Sequence, residues 1–124
     1  MELYFGSMKR HLTDTQIDTI VTFDIPDIGV KFKAPYRAED YMLDYASLLA
    51  LLEFVEINPQ LFRNRALELY CNNYDLVEHV NTKSVNRKEL APILEKILQY
   101  RSKLKYSINW IALADNPAQR PEID

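Results

Sequence analysis

The residues with the most chemical interest lie in the stretch LELYCNNYDLVEHV, residues 67–80. Its first half alternates apolar and polar residues as a strand does, and its second half repeats with the period of a helix. Cys71, Asn72 and Asn73 fall at the junction, where α/β proteins often position functional side chains. An amide offers a neutral oxygen but neither carries a negative charge nor takes up a proton at neutral pH. The junction therefore has the form of an active site in which two amides occupy the key places.

The cysteine and the two histidines offer no further chemistry. Cys71 ends a strand and has no neighbouring Cys or His in the sequence to activate it, so we expect a small buried side chain rather than a nucleophile. His11 and His79 have no spacing typical of metal ligands, so no zinc site is predicted. Asn72 and Asn73 are most simply explained as turn and helix-cap residues.

The overall composition describes one ordinary domain. The chain has 124 residues, of which 48% are hydrophobic, and this is enough for a real core. A net charge of −3 argues against tight, salt-driven binding to a phosphate backbone. A single cysteine cannot form an internal disulfide, so a cytoplasmic setting is expected. Neither an apolar run of membrane-spanning length nor a signal peptide is visible, so no membrane partner is predicted.

The N-terminal half predicts three strands. The segment MELYFGSM resembles a degraded protease-site linker followed by a cloning scar, but residues 1–7 also alternate as a strand does, with Leu3 and Phe5 on one side. We favour the strand. Residues 19–25 and 30–34 are rich in β-branched and aromatic residues, and the turn signal between them makes the pair a hairpin.

Helices and two further strands follow. Residues 39–57 carry apolar residues at three- and four-residue spacing, which predicts a central helix that ends at Asn58-Pro59. The remaining predicted elements are a strand at 66–71, a short helix at 74–80, a long helix at 87–104 and a strand at 106–113. Crossover connections make their strands parallel, so we predict an α/β fold with a mixed five-stranded sheet and helices packed on it. This domain would cover residues 1–113, and residues 114–124 would form an irregular C-terminal tail.

This order, with the sequence at its joints, resembles the ribonuclease H fold. ELYFGS is similar to the family's first strand, which ends in Asp-Gly-Ser. DYASLLALLEF is similar to its first helix, and LELYCNNYDLVEHV to its fourth strand and the following helix. WIALADNPAQ is similar to the last strand and the loop that bears the family's fourth acid. The resemblance extends to about residue 120, and the family's terminal helix is missing.

The resemblance implies a site that has lost its chemistry. The family cleaves the RNA strand of RNA–DNA hybrids with two Mg²⁺ ions, which clustered carboxylates hold about 4 Å apart. The match places Phe5, Asp44, Asn72 and Arg120 at the four acidic positions, and Asn116 matches an asparagine common in the family. Asp44 is the only family acid retained and is therefore the candidate catalytic residue. We predict no bound metal and no cofactor.

A second alignment arises if residues 1–7 are a linker. The strand at 19–25 would then come first, and Asp24 would take the first acidic position. Asp24 and Asp44 would form a pair able to hold one ion. Asp75 and Asp115 could join them only by distortion.

The resemblance and the missing acids together predict the function. We expect a degenerate ribonuclease H-like domain without nuclease activity that acts as a protein-interaction or assembly module. Its partner would be another protein or a second copy of the chain, and the hairpin around Val30 and Phe32 offers an edge for it. Two alternatives stay open: a magnesium-dependent ribonuclease H acting on RNA–DNA hybrids, and a non-cleaving binder of hybrid or single-stranded nucleic acid.

Surface charges allow the second alternative but have simpler explanations. The candidate nucleic-acid contacts are Lys31, Lys33, Lys96 and Lys103. Lysines on an exposed strand face or helix face are more often solvated than bound to phosphate. In the same way, Asp44 with Asp40 and Glu39 is explained at least as well by a solvated acidic helix face as by a metal site.

Overall fold

The computed structural model describes residues 1–63 and 65–119, which form five strands, three α-helices and several short 3₁₀ turns. The strands are β1 (Glu2–His11), β2 (Ile17–Ile25), β3 (Val30–Pro35), β4 (Leu67–Cys71) and β5 (Tyr106–Trp110). The helices are α1 (Asp40–Ile57), α2 (Tyr74–Thr82) and α3 (Ala91–Gln99). None of these helices is long and apolar enough to cross a membrane.

The five strands form one mixed sheet with the order β3-β2-β1-β4-β5. β1 pairs with β2 and β2 with β3 in antiparallel register, whereas β1 pairs with β4 and β4 with β5 in parallel register. The parallel pairs follow from the crossovers through α1 and through α2 and α3, because a crossover returns the chain to the same end of the sheet. The predicted α/β fold is confirmed.

β1 is the central strand. Leu3 and Phe5 are fully buried, residues 2–4 pair with β4, and residues 4–11 pair with β2. Residues 1–7 therefore belong to the sheet, and the alternative in which they form a linker is wrong for this fold. β1 is also longer than predicted and reaches His11, because Lys9 and Arg10 pair with Thr19 and Asp18 of β2.

α1 packs across one face of the sheet and supplies much of the core. Its apolar residues are buried on several sides, among them Leu48, Leu51 and Leu52 with no exposed surface. The Phe54 ring lies 5.3 Å from that of Phe23 on β2, which fixes the face of β2 that α1 covers. The helix ends at Ile57. Its C-cap residue, Asn58, donates a side-chain hydrogen bond to the Phe54 carbonyl at 2.8 Å, and Pro59 follows.

The predicted long helix over residues 87–104 is wrong in its extent. The α-helix covers only Ala91–Gln99, with 3₁₀ turns at Lys88–Leu90 and Tyr100–Ser102. Pro92 lies in the first turn of α3, where its missing N–H costs least and where it keeps a regular helix from starting much earlier. At the other end the chain tightens into a 3₁₀ turn before it enters β5.

The chain after β5 forms two 3₁₀ turns, Leu113–Asp115 and Pro117–Gln119. They pack on the sheet, so that Asn116 and Ala118 are buried. The Thr22 hydroxyl donates to the carbonyl of Ala118 at 2.7 Å. The Gln119 side chain lies directly over Gly6, where a Cβ would be 2.2 Å from its amide nitrogen. The described part of the predicted tail is thus irregular but held against β1 and β2.

Candidate functional site

The candidate site lies where β4 ends and α2 begins, beside the middle of β1 and the first turns of α1. The parallel pairing of β1 with β4 brings these segments together at one end of the sheet. Side chains of Phe5, Ser7, Asp44, Asn72 and Asn73 meet here. Sequence reasoning expected Phe5, Asp44 and Asn72 at this end, and the structure places them there.

Asp44 accepts hydrogen bonds at both carboxylate oxygens. The Ser7 hydroxyl donates to Oδ1 at 2.7 Å, and the Asn73 side-chain amide donates to Oδ2 at 2.9 Å. Asn73 also caps α2, because its Oδ1 accepts from the backbone N–H of Leu76 at 3.0 Å. The retained carboxylate therefore links β1, α1 and α2 through groups of the protein itself.

A second network joins Asn72 to the chain after β5. Asn116 is fully buried, and its side-chain nitrogen donates to Asn72 Oδ1 at 2.9 Å and to the Phe5 carbonyl at 3.0 Å. Its side-chain oxygen accepts from the backbone N–H of Ala118 at 3.0 Å. Asn116 therefore satisfies backbone groups of two segments and holds the 3₁₀ turns against the sheet.

Phe5 occupies the first family position as a core residue. Its side chain has no exposed surface and belongs to the main apolar cluster between the sheet and the helices. A phenyl ring provides no oxygen to a metal ion, and a carboxylate at this depth would lose its hydration. The residue at this position is therefore part of the core.

Asp24 does not join Asp44. Phe23 faces α1, and successive side chains of a strand point to opposite faces, so Asp24 points to the other face of the sheet. Asp24 is buried there and pairs in register with Tyr4. The predicted Asp24–Asp44 pair is therefore wrong, because it depended on β1 being absent.

The other acids do not rebuild a carboxylate cluster. Asp75 lies in the first turn of α2 and Asp115 in an exposed 3₁₀ turn. Within residues 1–63 and 65–119, no group of three His, Cys, Asp or Glu side chains is arranged to hold a metal ion. Arg120, matched to the fourth acid, lies outside the described residues. One carboxylate and neutral amides do not fit a centre of two Mg²⁺ ions, which needs several negative oxygens.

Cys71 is a buried core residue, as its position at the end of β4 predicts. Burial raises the pKa of its thiol to about 12, because the thiolate would be poorly solvated, although a contact with the Asn73 backbone opposes this shift. The thiol is thus inert at neutral pH. His79 contacts the core through its Nδ1, which shares a short hydrogen bond with the Tyr45 hydroxyl, and burial raises the pKa of Tyr45 to about 12.

The four candidate nucleic-acid lysines do not form one surface. Lys31 and Lys33 flank Phe32, whose ring stacks on Phe23 toward α1, so both lysines point to the opposite face of the sheet. Lys96 is exposed on α3, on the helix-bearing side. Lys103 lies beyond the end of α3 and forms an ion pair with Glu56 at 3.2 Å. Because α3 ends at Gln99, Lys96 and Lys103 do not share one helix face.

Sequence reasoning missed the donors that occupy the site. Ser7 was present in the matched Gly-Ser pair, and Asn73 was identified only as a cap. Their bonds to Asp44 join residues 37 and 29 positions apart, so no local pattern signals them. The buried role of Asn116 likewise depends on bonds to Phe5 and Asn72, which are 111 and 44 positions away.

Solved structures with the same architecture are ribonucleases H. RNase H1 from Halobacterium salinarum is 16% identical, with a TM-score of 0.70 over 94% of this chain and 89% of that chain. LC11-RNase H1, solved in complex with an RNA/DNA hybrid, is 13% identical, with a TM-score of 0.73 over 94% and 88%. The N-terminal RNase H domain of a Mycobacterium tuberculosis protein is 12% identical, with a TM-score of 0.66 over 95% and 92%.

The likeness to these structures defines the fold. No family model matches the sequence, and no curated protein matches it. At identities of 12% to 16% the shared architecture is a shared fold, and it does not by itself carry the activity of the ribonucleases. The chain has a ribonuclease H-like fold.

Proposed function

We propose that this ribonuclease H-like domain does not cleave nucleic acid and acts as a protein-interaction or assembly module. The observation that carries the proposal is the state of Asp44. Ser7 and Asn73 donate to its two oxygens, so the carboxylate has a structural role without any ion. A two-metal mechanism needs a cluster of such groups.

The remaining family positions support the same conclusion. Phe5 is packed in the core, and Asn72 accepts from the buried Asn116. An Asn oxygen lacks the charge that offsets Mg²⁺, and an ion at this place would have to break hydrogen bonds that hold the fold. Phe5, Asp44 and Asn72, the matched positions among the described residues, are thus each packed or hydrogen-bonded within the protein.

The test is a cleavage assay joined to calorimetry. The chain and its Asp44→Ala variant are incubated with labelled RNA–DNA hybrid at millimolar Mg²⁺ or Mn²⁺, and ion binding is titrated in parallel. We expect neither cleavage nor specific ion binding in either protein. Asp40→Ala, an exposed acid one turn earlier on α1, serves as the matched control. Magnesium-dependent cleavage that Asp44→Ala abolishes and Asp40→Ala leaves intact would establish the nuclease alternative.

The non-cleaving nucleic-acid binder is the second candidate, and the fold favours it because LC11-RNase H1 was solved with an RNA/DNA hybrid. Binding of hybrid with affinity that falls steeply with salt, and that Lys31→Ala or Lys33→Ala weakens, would support this candidate. We expect no measurable binding at physiological salt, because the chain carries a net charge of −3.

A further inference from the structure

A groove opens at the other end of the sheet, far from Asp44. It lies between the end of α1, the entry into β4 and the entry into β5, and its volume is about 870 Å³. The backbone N–H of Leu67 donates to the Lys105 carbonyl at 3.2 Å and so joins the entries into β4 and β5. The lining residues come mostly from the two segments that enter β4 and β5, while α1 supplies Val55 and Glu56.

Four cations and one carboxylate line the groove: Arg63, Arg65, Lys103, Lys105 and Glu56. Glu56 pairs with Lys103 at 3.2 Å, and Arg65 reaches Asp27 at 3.6 Å. Within the described part of the chain, no acidic side chain pairs with Arg63 or Lys105. A protein with a net charge of −3 thus concentrates positive charge at one concave place.

The floor of the groove is apolar. Val55, Phe62 and Leu67 line it and are at most 7% exposed, and Leu104 contributes a partly exposed surface. Next to the lining in the chain, Ile57 is 74% exposed and Leu61 is 37% exposed. A cationic rim around apolar surface matches a ligand that carries both carboxylates and an apolar side chain.

Nucleic acid fits this groove less well. Single-stranded bases bind on exposed aromatic rings, whereas Phe62, the aromatic residue of the lining, is buried. A phosphate backbone is bound by cations spread along a track. Here the cations surround one groove, which is the arrangement expected for a ligand that places an apolar side chain on the groove floor.

We propose that this groove binds an acidic peptide segment of a partner protein, with an apolar residue of the peptide on the floor and its carboxylates at Arg63 and Lys105. This rests on the proposed interaction function and names its partner class. The groove lies outside the degenerate site, so the proposal requires no change there.

The probe is a library of random 12-residue peptides displayed on phage and selected on the immobilised full chain. Peptides are counter-selected on the double variant Arg63→Glu/Lys105→Glu. We expect enrichment of peptides with several Asp or Glu residues next to Leu, Ile or Phe. A synthetic peptide of the enriched sequence should bind the double variant about tenfold or more weakly, and added salt should weaken binding to the wild type.

Lys96→Glu/Lys31→Glu is the matched control, because it makes the same two charge reversals on exposed residues outside the groove. Its affinity should stay within about twofold of the wild type. Equal urea midpoints of the wild type and both variants would show that all three are folded, and Arg63→Ala/Lys105→Ala replaces the reversal if that variant unfolds.

Three outcomes would overturn the proposal: no enrichment, enrichment without acidic residues, or binding that the double variant leaves unchanged. A 12-nucleotide single-stranded RNA that binds in the groove while peptides do not, or concentration-dependent dimerisation in sedimentation that the double variant abolishes, would also overturn it. Peptide selection does not depend on whether the protein cleaves nucleic acid. Detection of nuclease activity would therefore reject the proposed non-catalytic function, while the peptide-binding data would still decide whether the groove binds an acidic peptide.

Discussion

The two ends of the sheet differ in whether their polar and charged side chains have partners within the protein. At the Asp44 end, Ser7 and Asn73 satisfy the carboxylate, and Asn116 satisfies the Phe5 carbonyl. At the groove end, Arg63 and Lys105 face solvent without an acidic partner among the described residues. The end that resembles an active site uses its polar groups to hold the fold, and the end without such a resemblance leaves its charges available for binding.

The comparison predicts different costs of substitution. Polar groups at the Asp44 end are half-buried or, for Asn116, fully buried, and they are bonded to one another, so each substitution should leave a partner unsatisfied. Cations at the groove end are exposed, so their loss should cost almost nothing in stability. Mutations at the two ends should therefore separate stability from binding.

The largest effect is expected for Phe5→Asp, which introduces an aspartate at the position that the ribonuclease H resemblance matches to the family's first acid. Removing the buried ring and placing a carboxyl group in the core should lower the free energy of unfolding by about 4 kcal/mol or more. Urea denaturation measures it, and Phe5→Leu, expected to cost about 1 kcal/mol, is the control. If the double variant Phe5→Asp/Asn72→Asp stayed folded and bound Mg²⁺, the Asp44 end could hold a metal site without loss of the fold. The contrast between the two ends of the sheet would then not hold.

Asn116→Ala should have the second-largest effect. The substitution leaves the Phe5 carbonyl, the Asn72 side chain and the Ala118 N–H without their shared partner, so we expect a loss of about 2–3 kcal/mol in urea denaturation. Asn109→Ala is the matched control. Asn109 is half-buried and donates to the Leu69 carbonyl, so its loss should stay below about 1 kcal/mol. Equal losses would mean that burial at the Asp44 end has no special role.

A pH-dependent effect should come from Cys71. Its pKa is raised from 9.0 to about 12 in the folded chain, so the folded state holds its proton more tightly than the unfolded state does. The stability from this thiol is fully present below pH 9 and is lost as the pH rises toward 12.

Urea midpoints of wild type and Cys71→Ala at intervals from pH 8 to pH 11 would measure this contribution. Between pH 9 and 10 the wild type should lose stability faster than the variant, with a difference that approaches one proton, or about 1.4 kcal/mol per pH unit. The tyrosines whose pKa is raised, Tyr4 and Tyr45 among them, add the same loss to both proteins, so only the difference between the two profiles reports the thiol. Parallel profiles would show that the thiol is already exposed in the folded chain.

The smallest effect is expected for Lys105→Ala. The side chain is exposed and makes no ion pair with any described acid, so the free energy of unfolding should change by less than about 0.5 kcal/mol. Affinity for an acidic peptide selected on the groove should fall in the same variant. A stability loss above about 1 kcal/mol would show that the groove cations also hold the fold together, and the contrast between the ends would disappear.

Local sequence was sufficient for the central elements of the fold. The period of α1 and the change of period at the β4–α2 junction are local signals, and Asn73 caps α2 as predicted. The second half of β1 was missed because Lys9, Arg10 and His11 are exposed and do not alternate in hydrophobicity. Their strand conformation depends on pairing with β2, which no local pattern reveals.

The candidate site was predictable in its positions but not in its bonds. The resemblance placed Phe5, Asp44 and Asn72 at one end of the sheet. A solvated acidic face explained Asp40 and Asp44 equally well from sequence, yet Asp40 pairs with the exposed Lys9 while Asp44 turns to Ser7 and Asn73. One helical turn separates the two acids, and only the packed sheet distinguishes them.

The central position of β1 also sets the order in which the sheet can be completed. Met1 donates its N-terminal hydrogen bond to the Ala66 carbonyl, 65 positions away, so the β4-facing edge of β1 has no partner until β4 has been synthesised. Such non-local pairing slows folding, because the entropy cost of closing a long loop comes before the stabilising contacts form. A nascent chain would meanwhile present β1 as an open edge beside the finished β2–β3 hairpin. Co-translational aggregation through this open edge is therefore a hazard until β4 pairs with β1.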